Sequence, residues 1–216
     1  PGKYWGMYSP EDFEVNLPYE AHKNPTPPMK WLHDNWKNES GQFSPQTAMM
    51  LDNEKIKQAM ALTGGMISMV DDAVGDIMNI LNNSDQAKNT VVCFNSDHGD
   101  YLGDFNMLLK GALPFNALTN VPFIWSDPQN ETKQTSDDLA STIDISATIL
   151  DRAGVNPFNG MKGKSLMPST RDEGFSREHL LIEYNDGGAR LGFETPARVR
   201  TIITSSYKFN IYLGQD

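Results

Sequence analysis

Four consecutive residues, Ser96-Asp97-His98-Gly99, place a carboxylate beside an imidazole. A hard carboxylate oxygen next to a ring nitrogen is a donor set for a divalent cation. Twelve residues beyond His98 stands Lys110, followed by Gly111, which adds an ammonium on a loop. Acid, imidazole and ammonium outline a site for a metal and an oxyanion. The residue types alone leave a plainer reading open: a turn with a hydrogen-bonded imidazole, and a solvated lysine.

The elements that must position these groups can be read around them. The apolar run Thr90-Val91-Val92-Cys93-Phe94 predicts a buried strand ending at the tetrad. In open α/β sheets, ligands bind beyond the carboxyl ends of strands, so a central parallel strand is expected here. Successive side chains on a strand point to opposite faces. Asp97 and His98 can therefore share one ligand only if the backbone turns, and Gly99 is expected to supply that turn through a positive φ. Lys110 follows Met107-Leu108-Leu109, which predicts a partly buried loop with the lysine stem on apolar surface and the ammonium in a polar cleft. The alternative for Lys110 is a salt bridge to Asp100 or Asp104.

Upstream of the strand, Ile56, Met60, Ile67, Val70, Val74, Ile77 and Leu81 recur at three-and-four spacing, which predicts one face of a long helix from Asp52 to Asn82-Asn83-Ser84. Gly64-Gly65 within it predicts a kink or a close helix contact. Residues 1–50 carry no sustained period. Their aromatics and the polyproline-like Pro25-Thr26-Pro27-Pro28 predict a long ordered loop. Downstream, Val121-Pro122-Phe123-Ile124-Trp125 predicts a second strand and residues 139–143 a third. Asp144 is the expected N-cap of a helix ended by Gly154. Three short runs at 180–184, 198–204 and 207–213 predict a small antiparallel sheet. The fold class is thus α/β, with a mixed sheet flanked by helices and then a small antiparallel subdomain. The expected division is 1–160 and 161–216.

The formal net charge of −10 argues against nucleic acid as the main partner, and no apolar stretch is long enough for a membrane span. An anionic substrate is still admissible, because a metal and a lysine can reverse the field inside a cleft. The single cysteine, Cys93, rules out an intrachain disulfide and sits among apolar neighbours, buried and inert. The chain opens on Pro1-Gly2-Lys3 without an initiator Met and closes on Gly214-Gln215-Asp216 after a strand-like run. Both ends are expected to lie inside a longer polypeptide.

The stretch from Asn95 to Asp104 (Asn-Ser-Asp-His-Gly-Asp-Tyr-Leu-Gly-Asp), followed by Lys110-Gly111, resembles the sulfatases of the alkaline phosphatase superfamily. The segment around Met66-Ile67-Ser68-Met69-Val70-Asp71-Asp72 is similar to that family's helix before the metal motif. Asn120-Val121-Pro122-Phe123-Ile124 is similar to its following strand. Residues 142–155 resemble its next strand and helix, and Gly163-Lys164-Ser165-Leu166, Arg200-Thr201 and Tyr207-Lys208 resemble landmarks of its C-terminal subdomain. The resemblance implies an alkaline-phosphatase-like fold and hydrolysis of sulfate esters of small molecules or carbohydrates. It implies Asp97 and His98 as metal ligands and Lys110 as the sulfate-contacting, catalytic lysine. The metal is usually calcium in this family, while the imidazole would equally suit manganese or zinc. Sulfatases are commonly exported, and one buried cysteine is compatible with that.

Departures from the family pattern bound this reading. The family's nucleophile is a formylglycine made from Cys or Ser in a Cys/Ser-x-Pro-x-Arg motif, and no such motif occurs in these 216 residues. The family's early paired aspartates and mid-chain histidine have no counterpart, and Asp104-Phe105-Asn106 stands where many members have Asp/Glu-His-Gly. The chain therefore resembles the C-terminal portion of a sulfatase, expected to be inactive by itself. A phosphonate or phosphate ester hydrolase of the same superfamily, or a non-catalytic metal-stabilised module, would carry the same residues. Residues 1–50 and 184–198, the latter with Asp186, Arg190, Glu194 and Arg198, are the expected pocket rim.

Overall fold

A computed structural model describes residues 2–38, 50–130, 135–171, 173–185 and 196–214. The N-terminal region holds a helix, α1 (Pro27–Asn38), where an extended segment was expected. The proline pair explains the difference. In the first helical turn a missing N–H costs nothing and φ near −65° is already helical, so Pro27-Pro28 starts the helix. Lys30 N–H donates to the Thr26 carbonyl at 2.9 Å, closing that turn. Met29, Leu32 and His33 fall on its buried face.

The long helix α2 (Asn53–Asn82) has the expected limits, and the Asp52 carboxylate caps it by accepting the Lys55 N–H at 2.9 Å. Gly64-Gly65 serves a close contact, not a kink. A Cβ at Gly65 would collide with the Tyr4 carbonyl, so only glycine lets the N-terminal 3-10 turn cross the helix there. The apolar stripe read from the sequence is only partly covered. Ile56, Ala61 and Gly65 are buried, whereas Ile67, Val70 and Ile77 are exposed, Ile77 to 64%.

Strand β1 (Val92–Asn95) pairs with β2 (Phe123–Ser126), Val92 opposite Ser126 and Asn95 opposite Phe123. β2 is the only partner of β1 among the described residues, and the pairing is antiparallel where a parallel strand was expected. The segment between them explains this: its only α-helix is the four-residue α3 (Asn116–Thr119), too short for the crossover a parallel return requires. The chain instead comes back on the same end of β1, and Gly99 N–H donates to the Leu118 carbonyl at 2.9 Å to close the excursion.

Residues 139–143 form no strand and lead by a turn into α4 (Asp144–Arg152), in which Asp144 is the first helical residue and Ile143 holds the cap position. The chain continues through α5 (Met167–Thr170) to three strands, β3 (Leu180–Asn185), β4 (Arg198–Ile203) and β5 (Lys208–Leu213). These pair antiparallel in sequence order, as expected. Among the described residues no helix is long and apolar enough to cross a membrane. The main core gathers Met29 and Leu32 of α1, Tyr101, Met107, Ala112 and Leu113 of the loop after β1, and Val199 of β4. It therefore lies directly beneath the segment joining His98 to Lys110.

Candidate functional site

β1 delivers Asn95 to the point where the backbone leaves the sheet, and the next three residues fold back on themselves. Ser96 Oγ donates to the His98 carbonyl at 2.8 Å, and the His98 N–H donates to Asp97 Oδ1 at 2.8 Å. This local turn brings both side chains to one side: Asp97 Oδ2 lies 3.3 Å from His98 Nε2. Gly99 enables the arrangement by close approach and not by a positive φ. A Cβ there would collide with the Ala117 carbonyl.

The imidazole's other nitrogen fixes its tautomer. His98 Nδ1 sits 2.8 Å from the Gly99 carbonyl, an atom that can only accept, so Nδ1 carries the proton. In the neutral ring Nε2 is then a lone pair facing a carboxylate oxygen. Two acceptors at that distance repel unless a cation or a proton lies between them. Their separation matches the edge between neighbouring ligands around a cation with bonds of about 2.0–2.4 Å. A histidine ligand held through its second nitrogen by a backbone carbonyl is the usual support for a metal site. The residues present therefore fit a divalent metal, as two of its ligands. No group of three or more metal-ligating side chains occurs among the described residues, so further ligands would have to come from elsewhere.

The side chains of Asp97 and His98 are 83% and 38% exposed, and both border an open cleft of about 830 Å³ that also runs along Thr119, Asn120 and β2. The Asp97 carboxyl is held below its ordinary range, first by the hydrogen bond from the His98 N–H and to a smaller degree by the charge of Lys110. Asp97 is thus ready to ligate as a carboxylate at neutral pH.

The loop carrying Lys110 is partly buried, as expected, with Met107 and Ala112 in the core, but Lys110 itself is exposed and does not line that cleft. Its field nevertheless reaches Asp97. It forms no salt bridge to Asp100 or Asp104. Asp100 Oδ1 is taken by the N–H groups of Leu102 and Leu109, each at 2.9 Å, and the Asp104 carboxyl is pushed up by burial. Cys93 is half-buried, and burial pushes its thiol up, away from reactivity. Of the expected rim charges, Asp186, Arg190 and Glu194 lie outside the described residues, while Arg198 begins β4.

Two polar clusters make contacts that the sequence does not announce. Asp144, fully buried, accepts Arg177 Nη1 at 2.5 Å and Nη2 at 2.8 Å, with the Ser141 and Lys164 N–H groups each at 2.8 Å. Asn106 binds Tyr19, Leu51 and Asn53 and ties the loop after β1 to the start of α2. Asp144 is legible only as a residue at a helix start; nothing in local spacing marks its pairing with Arg177 or the contacts of Asn106.

Comparison with known proteins agrees with this architecture. A family model described as Sulfatase matches residues 13–155, and one described as N-sulphoglucosamine sulphohydrolase, C-terminal, matches residues 110–215. An arylsulfatase of Clostridium perfringens is 29% identical over 193 residues, which is 87% of this chain and 38% of that protein. A solved 2-O GAG sulfatase superposes with a TM-score of 0.72 at 25% identity, over 88% of this chain and 40% of the other. A phosphonate monoester hydrolase from Silicibacter pomeroyi shares the fold, with a TM-score of 0.76 at 19% identity, over 98% of this chain and 46% of its own. The chain thus spans less than half the length of these relatives. With a family model covering most of its length and its strand-end Asp-His pair placed as described, the chain belongs to the sulfatase family.

Proposed function

We propose that this chain contributes to a metal-dependent site that hydrolyses sulfate esters, in which Asp97 and His98 hold a divalent cation and Lys110 meets the sulfate group. The observation that carries this reading is the 3.3 Å approach of His98 Nε2 to Asp97 Oδ2, with Nδ1 committed to a backbone carbonyl. When bound, the cation supplies Lewis acidity toward the sulfate oxygens. The protein's own part is to present a carboxylate kept ionised by the His98 N–H, an imidazole locked in one tautomer, and an exposed ammonium without a carboxylate partner among the described residues. Lys110 would stabilise negative charge on the departing oxygen as a point charge with rotatable donors. The nucleophile lies outside these 216 residues in this reading, since no Cys/Ser-x-Pro-x-Arg motif occurs in them. A sulfated sugar is the substrate class we favour, supported by the likeness to a 2-O GAG sulfatase.

Metal dependence tests the assignment. Stripping the intact protein with a chelator should lower sulfate release from an aryl sulfate by at least about a hundredfold, the scale of losing several kcal/mol of charge stabilisation. Re-adding calcium, manganese or zinc in turn should restore it with one metal. His98→Ala and Asp97→Ala should bind that metal at least about tenfold more weakly in calorimetry. Undiminished activity after complete chelation would contradict the proposal.

A further inference from the structure

Every non-glycine residue with a positive φ among the described residues falls in one eight-residue stretch between His98 and Lys110: Leu102 (39°), Phe105 (53°), Asn106 (63°) and Leu109 (65°). Leucine rarely adopts this region, because its Cβ crowds the following carbonyl oxygen, and such strain persists only where surrounding contacts over-determine it. Those contacts are specific. The two strained leucines that open and close the stretch donate their N–H groups to one atom, Asp100 Oδ1, at 2.9 Å each. Tyr101 N–H donates to the Leu109 carbonyl at 2.8 Å. The Tyr101 hydroxyl, on a side chain 1% exposed, donates to the Leu113 carbonyl at 2.9 Å and accepts the Leu113 N–H at 3.1 Å. The residue before Lys110 and the third residue after it are thus both fastened to the two residues that follow the Asp97-His98-Gly99 turn. Lys110 itself makes no ion pair among the described residues, so its backbone alone sets where its ammonium can reach.

We propose that Asp100 and Tyr101 are positioning residues, a strained brace that holds Lys110 at a fixed distance from Asp97 and His98. The proposal rests on the reading of Lys110 as the sulfate-contacting residue. A group that must meet developing charge loses most of its effect when displaced by about an ångström, which gives a rigid loop its use here.

The test is made on the intact protein with Asp100→Ala, Asp100→Asn, Tyr101→Phe and Lys110→Ala. Asparagine keeps an oxygen that can accept both leucine N–H groups, and phenylalanine keeps the buried ring while removing both hydroxyl bonds. Amide exchange at Leu109 and Leu113 is read together with kcat and KM for an aryl sulfate. Asp100→Ala should speed exchange at Leu109, and Tyr101→Phe at Leu113, by about tenfold or more. Each should lower kcat about five- to twentyfold with KM within about twofold, and Asp100→Asn should restore both readouts. In a Lys110→Ala background the same changes should no longer affect kcat, because the group they place is gone. Wild-type exchange and kcat in both Asp100→Ala and Tyr101→Phe, while Lys110→Ala lowers kcat, would overturn the brace and leave the Lys110 reading standing. Equal losses with and without Lys110 would show a structural role only and also overturn it. Wild-type kcat in Lys110→Ala itself would remove the underlying reading, and the brace's functional role with it. Should Asp100→Ala fail to fold, Tyr101→Phe decides by the same readouts.

Discussion

Lys110→Ala in the intact protein is expected to lower kcat for a sulfate ester by a factor of about 10²–10³, the loss that follows removal of one preorganised charge-stabilising donor. The fold should survive. Lys110 is exposed and forms no ion pair among the described residues, so its truncation should shift stability by no more than about 0.5 kcal/mol. Lys110→Arg is not a mild replacement here, since a planar guanidinium cannot take the place of a compact ammonium on a loop fixed at both ends. Its kcat should also fall. Steady-state kinetics beside a thermal melt separates the outcomes, and a folded Lys110→Ala variant with wild-type kcat would take this residue out of the site.

The largest loss of stability is expected at Asp144. Its carboxylate is fully buried and receives both Arg177 nitrogens and two backbone N–H groups, tying the start of α4 to residues 164 and 177. Asp144→Ala leaves the Arg177 side chain, 9% exposed, without its counter-charge, and breaking a buried pair in this way costs about 3–5 kcal/mol. That is a large share of the 5–15 kcal/mol typical of a folded domain. Replacing both partners together by apolar residues of similar volume should cost far less, because no charge is then stranded.

The same site gives a pH dependence. Burial works to raise the Asp144 carboxyl, but the hydrogen bonds from Arg177, Lys164 N–H and Ser141 N–H outweigh it and hold the group below its ordinary value. A carboxyl depressed in the folded state contributes stability at neutral pH and loses it as pH falls through the folded value. Urea unfolding of the wild type should therefore weaken on acidification through the carboxylate range, and Asp144→Asn should weaken less steeply. Parallel pH profiles for the two would contradict this account of the pair.

What could be read from the sequence was whatever rests on local pattern. The limits of α2 follow from its apolar period and the Asp52 cap, and β1 and the three C-terminal strands follow from short apolar runs between turn residues. The Asp97-His98 pair was legible because both members are adjacent in sequence. α1 was hidden by its prolines, which read as extended although the first helical turn suits them. The direction of β1 depends on how the chain returns from residue 96 to residue 122, which no local pattern encodes. Asp144 and Arg177 are 33 residues apart and meet only in the folded chain. The hold on Lys110 depends on leucines in left-handed backbone, a conformation their side chains disfavour, so nothing in residue type announces it.

Inorganic sulfate released by the intact protein from an aryl sulfate monoester, measured beside phosphonate release from the matching phosphonate monoester, tests the central claim most directly. Sulfate-ester hydrolysis by this site predicts a kcat/KM for the sulfate at least about tenfold above that for the phosphonate, with both activities falling in His98→Ala. A phosphonate preference, or sulfate release in His98→Ala equal to that of the wild type, would contradict it.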